Sequence, residues 1–232
     1  MGKIFNTILN LLFPARCVGC GKKDEFLCEE CLARAEKCGD ELPKNTIAVF
    51  SYHDPRIRDA IRLLKYRGAF SVARPLARYL YDSALEEIAQ EKYLANPRGN
   101  EKIFVIPVPL HKKRLQERGY NQAEILAREF CALDGGGLFE LRTDILEKVR
   151  ETASQVRSES KKARTENLSG AFICLHRQVC RVGDEPPKNG KSRAKIALLV
   201  DDVTTTGATL AECKKALKTA GFGKIFCLTI AH

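Results

Sequence analysis

The chain has 232 residues, 44% of them hydrophobic, and 39 Lys and Arg against 29 Asp and Glu, which leaves a net charge of +10 and a pI near 9.1. That length buries one sizeable core and leaves room for a small second module. The basic excess favours phosphate-bearing partners over cations, without saying whether the phosphate belongs to a small substrate, a nucleic acid backbone or an anionic membrane.

The first apolar run, Ile4 to Phe13 behind Lys3, is too short to span a bilayer. Its apolar positions 4, 5, 8, 9, 11 and 12 fit a helix with one broad greasy face that docks on the rest of the protein or on a partner. As an export signal it has only a weak basic leader, and Arg16 rather than a small residue precedes Cys17. A reducing cytoplasm is therefore expected, and four of the ten cysteines show metal-ligand spacing.

Those four are Cys17-Val18-Gly19-Cys20 and, seven residues on, Cys28-Glu29-Glu30-Cys31. Two CxxC knuckles offer four soft thiolates to one tetrahedral site with no open position, which suits a structural Zn²⁺ rather than a catalytic one. Gly19 and Gly21 suit the tight knuckle turns. The stretch from Pro14 to about Cys38 is too poor in periodic hydrophobics to fold without such a staple. The other six, Cys38, Cys131, Cys174, Cys180, Cys213 and Cys227, read as small buried apolar residues.

From Thr46 the pattern changes, and the expected organisation is a metal module over 1–40 and a larger domain over 41–232. Ile47-Ala48-Val49-Phe50 predicts a strand, and Asp54-Pro55 before Ile57, Ile61 and Leu64 predicts a helix with an Asp cap and Pro in its first turn. Further helix is expected over 73–88. Ile103 to Val108 is a continuous apolar run, as in a strand covered on both faces in a parallel sheet. A helix over 121–131 follows. Val182 to Arg193, rich in Gly, Pro and Lys, predicts a loop. Ile196 to Val200, a helix over 210–220 stopped by Gly221, and Ile225 to Ile230 predict a βαβ unit.

Inside that unit lies Asp201-Asp202-Val203-Thr204-Thr205-Thr206-Gly207-Ala208-Thr209. A buried strand that ends in two acids and then a small, hydroxyl-rich turn opening a helix gathers amides and hydroxyls around one anion. The two carboxylates would repel a bare phosphate, yet accept hydrogen bonds from ribose hydroxyls or meet Mg²⁺ through water. A ribose 5-phosphate satisfies both. The competing readings are an ordinary capped strand-to-helix turn and a nucleotide P-loop, whose GxxxxGK[ST] pattern is absent.

This acidic, threonine-rich segment resembles the signature of type I phosphoribosyltransferases. Further motifs resemble the ComF family: Val108-Pro109-Leu110-His111 through Arg114 and Arg118-Gly119-Tyr120-Asn121-Gln122, Pro14-Ala15-Arg16-Cys17, Leu64-Lys65-Tyr66-Arg67-Gly68, and Gln155, Arg164, Asn167-Leu168 and Ala171-Phe172. One departure is Val156-Arg157-Ser158, where the family pattern has a leucine soon after the glutamine. The resemblance implies an α/β fold of the type I phosphoribosyltransferase kind, with a mostly parallel sheet flanked by helices and a small four-cysteine zinc ribbon.

It further implies that phosphoribosyl pyrophosphate binds with Mg²⁺ at Asp201 to Thr209. Asp201 and Asp202 would meet ribose and magnesium, and Arg114 would join them in catalysis. Lys65, Arg114 and Arg118 are expected at the pyrophosphate, although each arginine also fits a solvated helix face. The basic stretch 152–168, with Arg157, Lys161, Lys162 and Arg164, reads as a covering hood or a nucleic-acid surface. His111 fits a helix cap better than a catalytic group. Two functions stay open: phosphoribosyl transfer linked to DNA uptake in natural transformation, or single-stranded DNA binding among DNA-uptake proteins with the pyrophosphate ligand as regulator.

Overall fold

The computed structural model describes residues 15–95, 102–151, 168–175 and 195–232. The expected helix over 4–13, the loop over 182–193 and nearly all of the basic stretch 152–168 lie outside them.

Five parallel strands form the main sheet in the order β1-β7-β6-β2-β3: β1 Thr46–Phe50, β2 Ile103–Pro107, β3 Phe139–Leu141, β6 Ile196–Val203 and β7 Lys224–Ala231. The runs with no polar alternation, β2, β6 and β7, occupy its centre because both their faces are covered. Ile103, Val105, Leu198, Val200, Phe226 and Leu228 face one core; Phe104, Ile106, Ala197, Leu199, Ile225 and Cys227 face another.

On the first face lie α2 Pro55–Tyr66, α3 Ala73–Ala95 and α5 Gln122–Ala132, which supply Ile57, Ile61, Leu76, Leu80, Leu126 and Phe130. On the second lies α6 Ala208–Thr219, with Leu210, Cys213 and Leu217. The short helix α1, Glu29–Ala33, belongs to the cysteine module, yet its Leu32 and the nearby Leu27 join the first core. Each such buried leucine contributes about 1.5–3 kcal/mol relative to exposure.

A second, two-stranded antiparallel sheet pairs β4 Leu146–Lys148 with β5 Phe172–Cys174, and Leu146 and Phe172 pack into the α6 core. The short helix α4, Lys112–Arg118, contains no buried residue. Neither α4 nor the three-residue strands β3, β4 and β5 are among the elements expected from sequence. Three residues show no period, and a charged helix with no buried residue carries no apolar stripe.

Chain direction fixes where a ligand finds a crevice. From β2 the chain passes to β3 on one side, and from β6 it passes to β7 on the other. The carboxyl ends of β2 and β6 therefore part at a topological switch point, the usual ligand position in open α/β sheets.

Candidate functional site

The acidic, threonine-rich segment leaves the sheet at this switch point. Asp202 is buried and Asp201 half-buried at the end of β6. Their carboxylates turn along the backbone: Asp201 Oδ1 accepts from the Asp202 N–H at 2.8 Å and Asp202 Oδ1 from the Val203 N–H at 3.0 Å. The Thr204 N–H donates to the Ala231 carbonyl at 3.0 Å, which ties the loop to β7. Thr204 is buried, Thr205 exposed, and Val203, Thr206 and Thr209 half-buried.

Gly207 caps α6 in the left-handed region, with φ 74°, and no side chain caps the helix from that position. A Cβ there would meet no protein atom within 4 Å, so backbone conformation rather than crowding calls for glycine. The loop carries the N-terminus of a twelve-residue helix, where the Ala208 N–H makes a long 3.5 Å bond to Thr206 Oγ1 and the dipole favours an anion.

Lys65, in the last turn of α2, reaches Asp202 Oδ2 with its ammonium at 2.6 Å. Burial works to lower its pKa, but the Asp202 and Asp201 carboxylates outweigh it and hold the pKa raised. Burial and the neighbouring Asp202 charge push Asp201 well above the ordinary carboxylate range. The Lys65 ammonium thus offsets a pair of acids that repel each other, and burial and that repulsion favour the protonated form of Asp201.

Arg114 lies on α4 beside Lys148 of β4. Burial and the Arg114 charge lower the Lys148 pKa, while Asp201 acts in the opposite sense. Nothing in the sequence singles out Lys148, because only strand pairing brings it to the site. Arg118 stands apart from the acids: its guanidinium bonds Gln122 Oε1 and lies 5.2 Å from the Tyr66 ring centre. Of the expected cations, Lys65 meets the acid pair directly, Arg114 stands beside Lys148, and Arg118 lines the rim.

The remaining motif residues frame the crevice. His111 caps α4, its Nδ1 accepting from the Lys113 N–H at 3.4 Å. Asn121 caps α5 through a bond from the Ala123 N–H at 3.1 Å and donates to the Val108 carbonyl at 3.0 Å. Tyr120 donates its hydroxyl to the Leu64 carbonyl at 2.7 Å and accepts from the Gly68 N–H at 3.1 Å, so it holds the α2 end that carries Lys65.

At the other end of α2 sits the cysteine module. The sulfurs of Cys17, Cys20, Cys28 and Cys31 lie within 4.8 Å of one another, with Cys28 Sγ 3.6 Å from both Cys17 and Cys20. Burial opposes the Cys17 thiolate, but N–H groups of Cys28, Cys20 and Gly19 bring its pKa down to about 6. A Cβ on Gly19 would lie 2.6 Å from Cys31 Sγ, so the knuckle requires glycine at that position. Four convergent soft ligands around one point fit a tetrahedral metal such as zinc.

These features define an α/β protein with a topological switch point between β2 and β6 and a four-cysteine cluster that fits a metal. No protein-family model matches the chain. Competence protein F of Haemophilus influenzae is 31% identical over 90% of this chain and 86% of its own length. Competence protein ComFC of Streptococcus pneumoniae is 29% identical over 85% and 84%. DNA utilization protein YhgH of Escherichia coli K12 is 26% identical over 91% and 87%. The chain belongs to the ComF family.

Proposed function

We propose that the switch-point crevice binds phosphoribosyl pyrophosphate with Mg²⁺, and that the protein transfers phosphoribosyl to an acceptor in the handling of incoming DNA. The observation that carries this reading is the acid pair Asp201-Asp202, shielded by Lys65, immediately ahead of an open helix N-terminus. A ribose phosphate needs hydroxyl acceptors and an anion cradle side by side.

In this reading Val203 to Thr209 take the 5-phosphate with amides and hydroxyls, and Asp201 and Asp202 accept from the ribose hydroxyls. Because Lys65 holds one Asp202 oxygen, the protein offers no ready cage of carboxylates, and Asp201 and Asp202 would meet magnesium through water. Magnesium would supply charge neutralisation at the pyrophosphate. Arg114 with Lys148, and Lys65 with Arg118 further out, supply cations for a leaving pyrophosphate, where stabilising developing charge is most of the catalysis.

The test is calorimetric titration with phosphoribosyl pyrophosphate with and without Mg²⁺. Magnesium-dependent binding is expected, with a loss of at least tenfold in Asp201→Asn. Absence of binding in the native protein would remove the reading.

A second reading rests on a separate observation, and the names of the relatives support it. Beside the crevice, Tyr66 and Phe70 are 72% and 48% exposed, with Arg118 near the Tyr66 ring and exposed Arg67 between them. Exposed rings among cations suit single-stranded nucleic acid, whose bases stack while its phosphates pair. We infer that this rim binds single-stranded DNA. Tyr66→Ala with Phe70→Ala is expected to weaken oligothymidine binding about tenfold while Tyr66→Phe keeps it, as read by fluorescence anisotropy. Unchanged anisotropy in the double variant would remove the rim from the reading.

A further inference from the structure

Outside both sites already described, Cys38, Asp40 and His232 bring a sulfur, a carboxylate oxygen and a ring nitrogen within 4.8 Å of one another. From sequence, Cys38 reads as a small buried apolar residue; in the fold it is half-buried and directed into this group. Ordered backbone presents the outer two. The Cys38 N–H donates to the Val49 carbonyl at 3.1 Å, the His232 N–H to the Phe50 carbonyl at 3.2 Å, and the Tyr52 N–H to the His232 carbonyl at 2.8 Å.

The imidazole has acceptors on both sides. Its Nε2 lies 2.9 Å from the Thr205 carbonyl and its Nδ1 2.9 Å from Asp40 Oδ2. A carbonyl only accepts, so Nε2 carries a proton. In the neutral ring, Nδ1 then turns a lone pair toward a carboxylate oxygen, which is repulsive unless a proton or a metal ion lies between them. A proton there needs no third partner. A metal ion does, and the Cys38 sulfur supplies it. An imidazole that ligates a metal ordinarily donates its other N–H to a backbone carbonyl or carboxylate, which is what Nε2 does toward Thr205.

We propose that Cys38, Asp40 and His232 bind a divalent transition-metal ion of the zinc class, distinct from the ion of the four-cysteine module. One sulfur, one nitrogen and one oxygen match the ligand range of zinc, and three protein ligands leave a fourth position for water. Tetrahedral edges for such ligands are roughly 3.3–3.7 Å. Asp40, whose side chain is 61% exposed, is free to rotate so that its oxygen, now 2.9 Å from Nδ1, opens to that spacing. The ion braces Thr205 through the ring, and so couples the segment leaving the cysteine module to the anion loop.

Cobalt titration tests this. Metal-free, reduced full-length protein is titrated with Co²⁺ under anaerobic conditions and followed by visible and charge-transfer absorption. The four-thiolate site is expected to fill first and a second equivalent to follow with a weaker thiolate band. Cys38→Ser and Asp40→Asn, at side chains outside the buried cores, each stop uptake at the first equivalent, with circular dichroism and the four-thiolate spectrum unchanged. Saturation of native protein at one equivalent, or a second equivalent that persists in either variant, overturns the proposal. No phosphoribosyl ligand is present, so the outcome is independent of the function proposed above.

Discussion

Asp201 carries a stability cost at the end of β6. Its folded pKa is raised by burial and by Asp202, so the folded state holds a proton that the unfolded state gives up. Stability from this group is full below the ordinary carboxylate pKa and is lost as pH rises through the raised value. Asp201→Asn is therefore expected to raise the melting temperature of the ligand-free protein at neutral pH, although under the proposed function it weakens ligand binding; a lowered melting temperature would contradict this. Binding that uses the carboxylate should also weaken as pH falls through that raised pKa, and titration against pH in the native protein reads it. Lys65→Met acts in the opposite direction. It leaves Asp202 buried beside Asp201 without its ammonium, at a cost of about 3–5 kcal/mol in urea denaturation.

At the scale of elements, α2 links the two ends of the molecule's chemistry. Its N-cap Asp54 is buried and accepts from the Arg56 and Glu36 N–H groups, each at 2.9 Å, and from the Arg56 guanidinium. Those bonds, led by the Arg56 side chain, hold its pKa well below the ordinary range. Its contribution is present above the ordinary carboxylate pKa and is lost as pH falls through the lowered one. Asp54→Ala should cost about 2–3 kcal/mol near neutral pH, with the difference from native protein narrowing in strong acid when followed by denaturant melts. The Asp54-Pro55 cap was legible in the sequence, as were β2, β6 and β7, because unbroken apolar runs have one home in a parallel sheet. What was not legible depends on tertiary approach. Lys148 reaches the crevice only through the β4–β5 pairing, and His232 meets Thr205 only because β7 lies beside β6. Arg114 could be placed after a buried strand, but that Arg118 turns to Tyr66 follows from the fold of α4.

For the molecule as a whole, the four-cysteine module is part of the main core rather than an appendage. Leu27 and Leu32 are 4% and 1% exposed within the first hydrophobic cluster. Stripping metal with a chelator should therefore destabilise the sheet body as well, lowering the melting temperature on the order of 10 °C, with the loss recovered when zinc is returned. Gly19→Ala tests the same coupling without a chelator. The added methyl collides with Cys31 Sγ, and the variant should retain less zinc and melt earlier. A melting temperature indifferent to zinc would show that the leucines stay packed without it.

The order of the sheet also sets a timetable for folding. Within the main sheet β1 pairs with β7, in a register that joins Thr46 to Cys227 and Phe50 to Ala231, while its other edge meets the chain only at an antiparallel bridge from Lys37 to Phe50. The earliest strand of the sheet therefore waits for the latest one, across a loop closure spanning most of the chain. Until β7 arrives, the β1 edge that β7 covers stays open. Slow, chaperone-sensitive maturation follows from that order, and refolding yield should depend more on protein concentration than on the rate at which zinc is supplied.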